Sequence, residues 1–109
     1  KQVQEAIKNN VTIIDIRRLE EFTKLGVIPT SHKLTFFDSK GKYDTNKWMM
    51  EFTKIIKNKK TQFVLVCARA NRTKVVARFL LSLGYTNTKE LEGGIKNGWI
   101  SKGLKTTKN

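Results

Sequence analysis

The chain has a single cysteine, Cys67, at the head of the segment Cys67-Ala68-Arg69-Ala70-Asn71-Arg72-Thr73. A lone cysteine is either a small apolar filler or a reactive thiol, and its neighbours decide which. Here they include Arg69, Arg72 and, just beyond, Lys74. An apolar strand candidate ends immediately before Cys67, and an amphipathic helix candidate begins near Thr73. Between a strand and a helix, successive backbone N–H groups can curl inward and form an anion nest at the helix N-terminus. Such a nest, with the helix dipole behind it, favours thiolate over thiol. The pattern therefore points to nucleophilic sulfur chemistry at Cys67. The competing reading is a buried cysteine at the end of a strand, which seldom heads a loop carrying two arginines.

Other chemistry is excluded by scarcity. One cysteine allows no internal disulfide and no multi-cysteine zinc site. With His32 as the only histidine, a His/Cys metal centre is not expected, and His32 reads as a surface loop residue. No metal ligand is assigned.

The elements that must position the loop follow from periodicity. The β-branched, nearly continuous apolar run at 11–16 and the run at 62–66 read as strands buried on both faces. A polar helix at 19–24 stops at Gly26. After Pro29 comes a weaker strand at 32–36, then turn chemistry at Asp38-Ser39-Lys40-Gly41. Asp44 or Thr45 caps a helix running to about residue 58, with Trp48, Met49, Phe52, Ile55 and Ile56 on one stripe. A helix at 73–83 is expected to turn Val75, Val76, Phe79, Leu80 and Leu83 inward. A short helix at 3–7, a strand at 88–91 and a helix at 94–101 complete the pattern, and the Lys-rich tail after Gly103 is expected to fray. Strands alternating with helices argue for an α/β fold with a parallel sheet covered by helices on both faces.

At 109 residues and 39% apolar content the chain suits one domain, placed at 1–104, with a basic tail at 105–109. No apolar run is long enough to cross a bilayer. The net charge of +13 attracts anions, whether small oxyanions, acidic proteins or nucleic acid. The lysines are spread along the chain with no recognised nucleic-acid motif, so nucleic acid is not the expected partner. The chain begins with Lys rather than Met. That reads as a processed or trimmed product, and a periplasmic protein with its signal removed is favoured over a cytoplasmic one.

The segment 67–73 resembles the active-site loop of rhodanese-like domains, commonly Cys-x-x-Gly-x-Arg-Ser/Thr. Other features stand in family order. Asp15-Ile16-Arg17 with Glu20-Glu21-Phe22, Gly26-Val27-Ile28-Pro29, Leu83-Gly84-Tyr85, Leu91-Glu92-Gly93-Gly94-Ile95 and Trp99…Gly103 are all similar to family segments, over roughly residues 2–103. The resemblance implies a three-layer fold with four to five parallel strands and a single-domain sulfurtransferase. It implies that Cys67 takes sulfane sulfur as a persulfide from a donor such as thiosulfate, then passes it to a thiol, cyanide or an acceptor protein, an acidic one included. No separate cofactor is implied beyond that covalent intermediate, and a monomer is expected.

On this reading Cys67 and Arg72 are catalytic, and the loop from Ala68 through Arg69, Ala70 and Asn71 to Thr73 holds the anionic sulfur. Arg69 helps dock the donor, and Thr73 caps the helix or donates to the sulfur. Asp15 and Arg17 are supporting residues. Asp15 braces the loop through Arg17 or Arg72, or else is an ordinary turn residue.

Three departures from the pattern stand out. Ala70 replaces the loop glycine, Trp99 falls one residue late after the glycine pair, and the family's first strand is missing before Val3. Four residues separate Cys67 from Arg72, whereas the related phosphatases carry a loop one residue longer. That disfavours a phosphatase or arsenate-reductase reading. A non-catalytic binding or regulatory module of the same fold is the main alternative.

Overall fold

The structure, a computed structural model, describes residues 11–29, 31–38, 40–67, 71–91, 93–104 and 106–107, with the backbone alone at 71 and 102. The helix expected at 3–7 and the loop residues Ala68, Arg69 and Ala70 lie outside the described residues. Four strands, β1 (Thr12–Asp15), β2 (His32–Lys33), β3 (Phe63–Val66) and β4 (Thr88–Glu90), form one sheet in the order β2-β1-β3-β4. Every pairing is parallel. The helices α1 (Leu19–Leu25), α2 (Thr45–Ile55) and α3 (Asn71–Ser82) fill the three connections between strands, and α4 (Gly94–Gly98) and a 3-10 turn, Ile100–Lys102, follow β4.

Alternation along the two central strands divides the core in two, as a period of two demands. Ile14 and Ile16 of the first segment and Phe63, Leu65 and Cys67 of the second face one side, where Trp48, Phe52 and Ile56 and then Val76, Ala77 and Leu80 cover them. Ile13, Val64 and Val66 face the other side, beneath Ile28, Leu91, Ile95 and Trp99. Both faces are buried, which is why the sequence shows continuous apolar runs rather than alternation.

Several expected boundaries shift. The strand expected at 32–36 is regular only at His32–Lys33, although Leu34 and Phe36 still donate N–H groups to the carbonyls of Asp15 and Ile16 at 2.8 and 3.2 Å. Asp44 caps α2 by accepting the Lys47 N–H at 3.1 Å. The stripe on α2 is core, with Trp48 and Phe52 buried and Met49 packed against them. On α3 the inward face is Val76, Ala77 and Leu80. Val75 and Leu83, expected inside, are 49% and 39% exposed. Val75 lies a helical step away from the buried row, and Leu83 falls past the end of the helix. The last helix breaks at Trp99, whose φ of −132° and ψ of −68° separate α4 from the 3-10 turn.

Of the tail expected to fray, the described residues Thr106 and Thr107 pair with the body of the domain. Val27 and Thr107 exchange backbone hydrogen bonds at 2.8 Å in both directions, and Thr106 Oγ1 donates to the Leu25 carbonyl at 3.0 Å. Gly26, at φ 76°, permits this approach: a Cβ there would lie 2.6 Å from Thr106 Oγ1 and 2.7 Å from the Thr107 carbonyl oxygen.

Candidate active site

The carboxyl ends of parallel strands are where open α/β sheets bind ligands, and Cys67 follows β3 at that edge. Its backbone is pinned there by the Ile95 N–H, which donates to the Cys67 carbonyl at 2.8 Å. The turn that delivers Ile95 needs glycine. Gly93 sits at φ 80°, and a Cβ on it would press within 3.0 Å of Asn97 Cβ and 3.1 Å of the Gly98 nitrogen. The thiol is buried, with only 1% of the residue exposed.

Asn71 is the first residue of α3, two positions earlier than expected, so Arg72 stands in the first turn of that helix. Its guanidinium does not pair with Asp15. Nη1 and Nη2 donate to the two carboxylate oxygens of Glu21 at 2.7 and 2.6 Å, a bidentate pair across the sheet edge. Glu21 also accepts the Arg18 N–H at 3.1 Å, which tucks it back against the start of α1. Burial pushes the Glu21 carboxyl up, but the Arg72 hydrogen bonds, the Arg18 N–H and the two positive charges outweigh it and hold it at about 2. Arg72 is raised from its ordinary value, first by those hydrogen bonds, against burial, with Cys67 and Asp15 adding attraction.

Asp15 pairs instead with Arg17, and both side chains are fully buried. Arg17 Nη2 reaches Asp15 at 2.6 Å and the Gly26 carbonyl at 2.7 Å, and Nη1 reaches the Glu21 carbonyl at 3.2 Å. Burial pushes the Asp15 carboxyl up, and the Arg17 contacts oppose that. Of the two partners expected for Asp15, the structure selects Arg17. The pair braces the turn and α1, and α1 in turn carries Glu21 to Arg72.

Thr73 is fully buried beside the sulfur. The Cys67 thiol donates to Thr73 Oγ1 at 3.8 Å, and the Thr73 hydroxyl donates to Glu90 Oε1 at 2.9 Å. The Thr73 hydroxyl thus stands between the sulfur and Glu90, accepting from the first and donating to the second; from the sequence it is expected as a helix cap or as a donor to the sulfur.

Two residues here escaped the sequence reading. Glu21 was visible only as part of a family-like segment. Glu90 was visible only as a carboxylate at the tip of a short strand; that β4 lies beside β3 is a fact of topology. A recess of about 350 Å³ opens beside Arg72, lined by Arg18, Phe37, Asp38 and Gly41 as well. It adjoins, through Phe37 and Asp38, a larger groove of about 570 Å³ that includes Phe36, Tyr43 and Trp48. His32 lies exposed on β2, in register with Ile14 of β1.

Solved structures share this architecture. A rhodanese-related protein from Thermoplasma volcanium superposes with a TM-score of 0.69 at 28% identity, over 94% of this chain and 88% of its own. A Rhodopseudomonas palustris protein of unknown function, described as a possible tyrosine phosphatase, gives 0.67 at 22% identity over 97% of this chain and 77% of its own. Reduced CoADR-RHD from Bacillus anthracis gives 0.66 at 22% over 87% of this chain, which spans 15% of that protein's length. The last two likenesses are of fold. No curated protein matches the chain. The family model of the rhodanese-like domain matches residues 1–101, and the chain belongs to the rhodanese-like domain family.

Proposed function

We propose that this domain is a sulfurtransferase that carries sulfane sulfur on Cys67. The observation that carries the reading is the convergence of Cys67, Arg72 and Thr73 at the carboxyl edge of β3, with Glu21 fixing Arg72 from the opposite element. The Cys67 thiolate attacks the outer sulfur of a donor such as thiosulfate. The donor S–S bond breaks, sulfite leaves with the electron pair, and a persulfide anion remains on Cys67. Cyanide, a thiol or an acceptor protein then attacks the terminal sulfur, and the Cys67 thiolate is released. Arg72 supplies positive potential for the anionic sulfur, and the backbone N–H groups at the start of α3 supply donors. The recess beside Arg72 is the approach for a small anionic donor. No cofactor beyond the persulfide is called for, and the domain works as a monomer.

Four residues between Cys67 and Arg72 suit a single sulfur atom better than a phosphate, so phosphoryl chemistry is not the reading adopted. The test is intact mass of the reduced protein after incubation with thiosulfate, beside Cys67→Ser. The expected result is a gain of one sulfur that cyanide removes and the variant lacks. If neither thiosulfate nor a persulfide donor loads the wild type, a non-catalytic binding module of the same fold takes its place.

A further inference from the structure

A hydroxyl carries one proton, and that of Thr73 is given to Glu90 at 2.9 Å. Toward Cys67 the same oxygen offers a lone pair, and the 3.8 Å contact runs from the S–H to Oγ1. This arrangement suits a thiol. A thiolate or persulfide in the same place is an acceptor only, so two lone pairs would face each other unless the Thr73 proton turned from Glu90 to the sulfur. Thr73 is fully buried, so water cannot readily substitute for either partner. We propose that Glu90 is a positioning residue for Cys67: by holding the Thr73 proton it sets the resting site for a thiol, and release of that proton toward sulfur accompanies formation of the anion.

The proposal rests on the sulfur-carrier reading for its purpose, but not for its test. Among the described residues the charged groups around the sulfur come from four segments. They are Arg72 on α3, Glu21 on α1 bound to it, the Asp15–Arg17 pair beginning at the end of β1, and Glu90 on β4. Of these described groups, Glu90 is the one that reaches the sulfur through a hydroxyl. Glu90 ends its strand opposite Leu65, and the following Leu91 N–H donates to the Leu65 carbonyl at 2.9 Å. The sheet itself therefore sets the distance between the carboxylate and Thr73.

Because the chain has one cysteine, thiolate formation can be followed by ultraviolet absorbance against pH, with Cys67→Ser as the blank. Glu90→Gln can offer its amide N–H to Thr73 Oγ1, which turns the hydroxyl proton toward sulfur. The expected result is a profile displaced to lower pH, with about three- to tenfold more thiolate at neutral pH. Removing a negative charge displaces the profile in the same direction without any hydroxyl, so the decisive arm is Glu90→Gln in a Thr73→Val background. Loss of at least half of the displacement there supports the relay, and Thr73→Ser should restore it. An equal displacement in both backgrounds, or none with Thr73 present, overturns the proposal. If Thr73→Val does not fold, Thr73→Ala takes its place in the same comparison. Sulfur loading is measured separately, so a thiol that responds to Glu90 but never gains sulfur would sink the sulfurtransferase reading alone.

Discussion

Glu21 and Arg72 are 51 positions apart in sequence and meet through two charge-assisted hydrogen bonds. Because the Glu21 carboxyl is held at about 2, below its ordinary 4.5, the pair's contribution is fully present above pH 4.5 and drains away as pH falls toward 2. Its side chains are 19% and 26% exposed, so solvent screening reduces the benefit to about 1–2 kcal/mol. Glu21→Gln should therefore lower stability at neutral pH by that amount and flatten the acid limb between pH 4.5 and 2. Urea unfolding at several pH values checks both. The same substitution frees Arg72 from its brace, so sulfur loading should slow while Cys67 remains in place. Asp15 and Arg17 illustrate what residue types leave open: the sequence offered Asp15 either arginine. The short separation from Arg17 and the burial of both side chains decided it, since a buried charge keeps the partner that also satisfies the surrounding carbonyls.

At the scale of elements, α2 shows how a sequence pattern becomes packing. Its cap at Asp44 and its stripe are both readable from spacing, because a helical face and a capping side chain are local features. What the stripe meets is not local. Phe52 is fully buried, stacked on Trp48 at 4.9 Å, and set edge-on to Phe63 at 5.3 Å and Tyr85 at 5.1 Å. Phe52→Ala removes the ring joining α2 to β3 and to the turn after α3, at an expected cost of about 3–5 kcal/mol. Thermal or denaturant unfolding measures it. That loss should be accompanied by slower sulfur loading, since Cys67 belongs to the same cluster. The inward face of α3 departs from the pattern its sequence suggests. Val75 looks as apolar as Val76, but the rotation of α3 that seats Thr73 beside Cys67 and buries Val76, Ala77 and Leu80 leaves Val75 outside.

For the whole molecule, the excess of 22 basic over 9 acidic residues gives a net field that draws anions. Loading from thiosulfate should accordingly slow as salt rises, because screening shortens to about 10 Å at 0.1 M. A series of loading rates against ionic strength checks this; a flat response would confine the attraction to Arg72 and its immediate surroundings. Among the described residues no helix is long and apolar enough to cross a membrane. The sequence by itself determined the fold class, the two buried strands, the cap of α2 and the family-like loop headed by Cys67, because periodicity, capping and that loop are carried by residues near one another in the chain. Only the tertiary structure decided the strand order, the pairing of Glu21 with Arg72, the choice of Arg17 for Asp15, the return of Thr107 to Val27, and the hydroxyl chain from Cys67 to Glu90. Each of those joins residues brought together by the sheet or by burial. Which polar groups a buried charge or hydroxyl finds depends on what the packed elements leave within reach, and local sequence does not contain that.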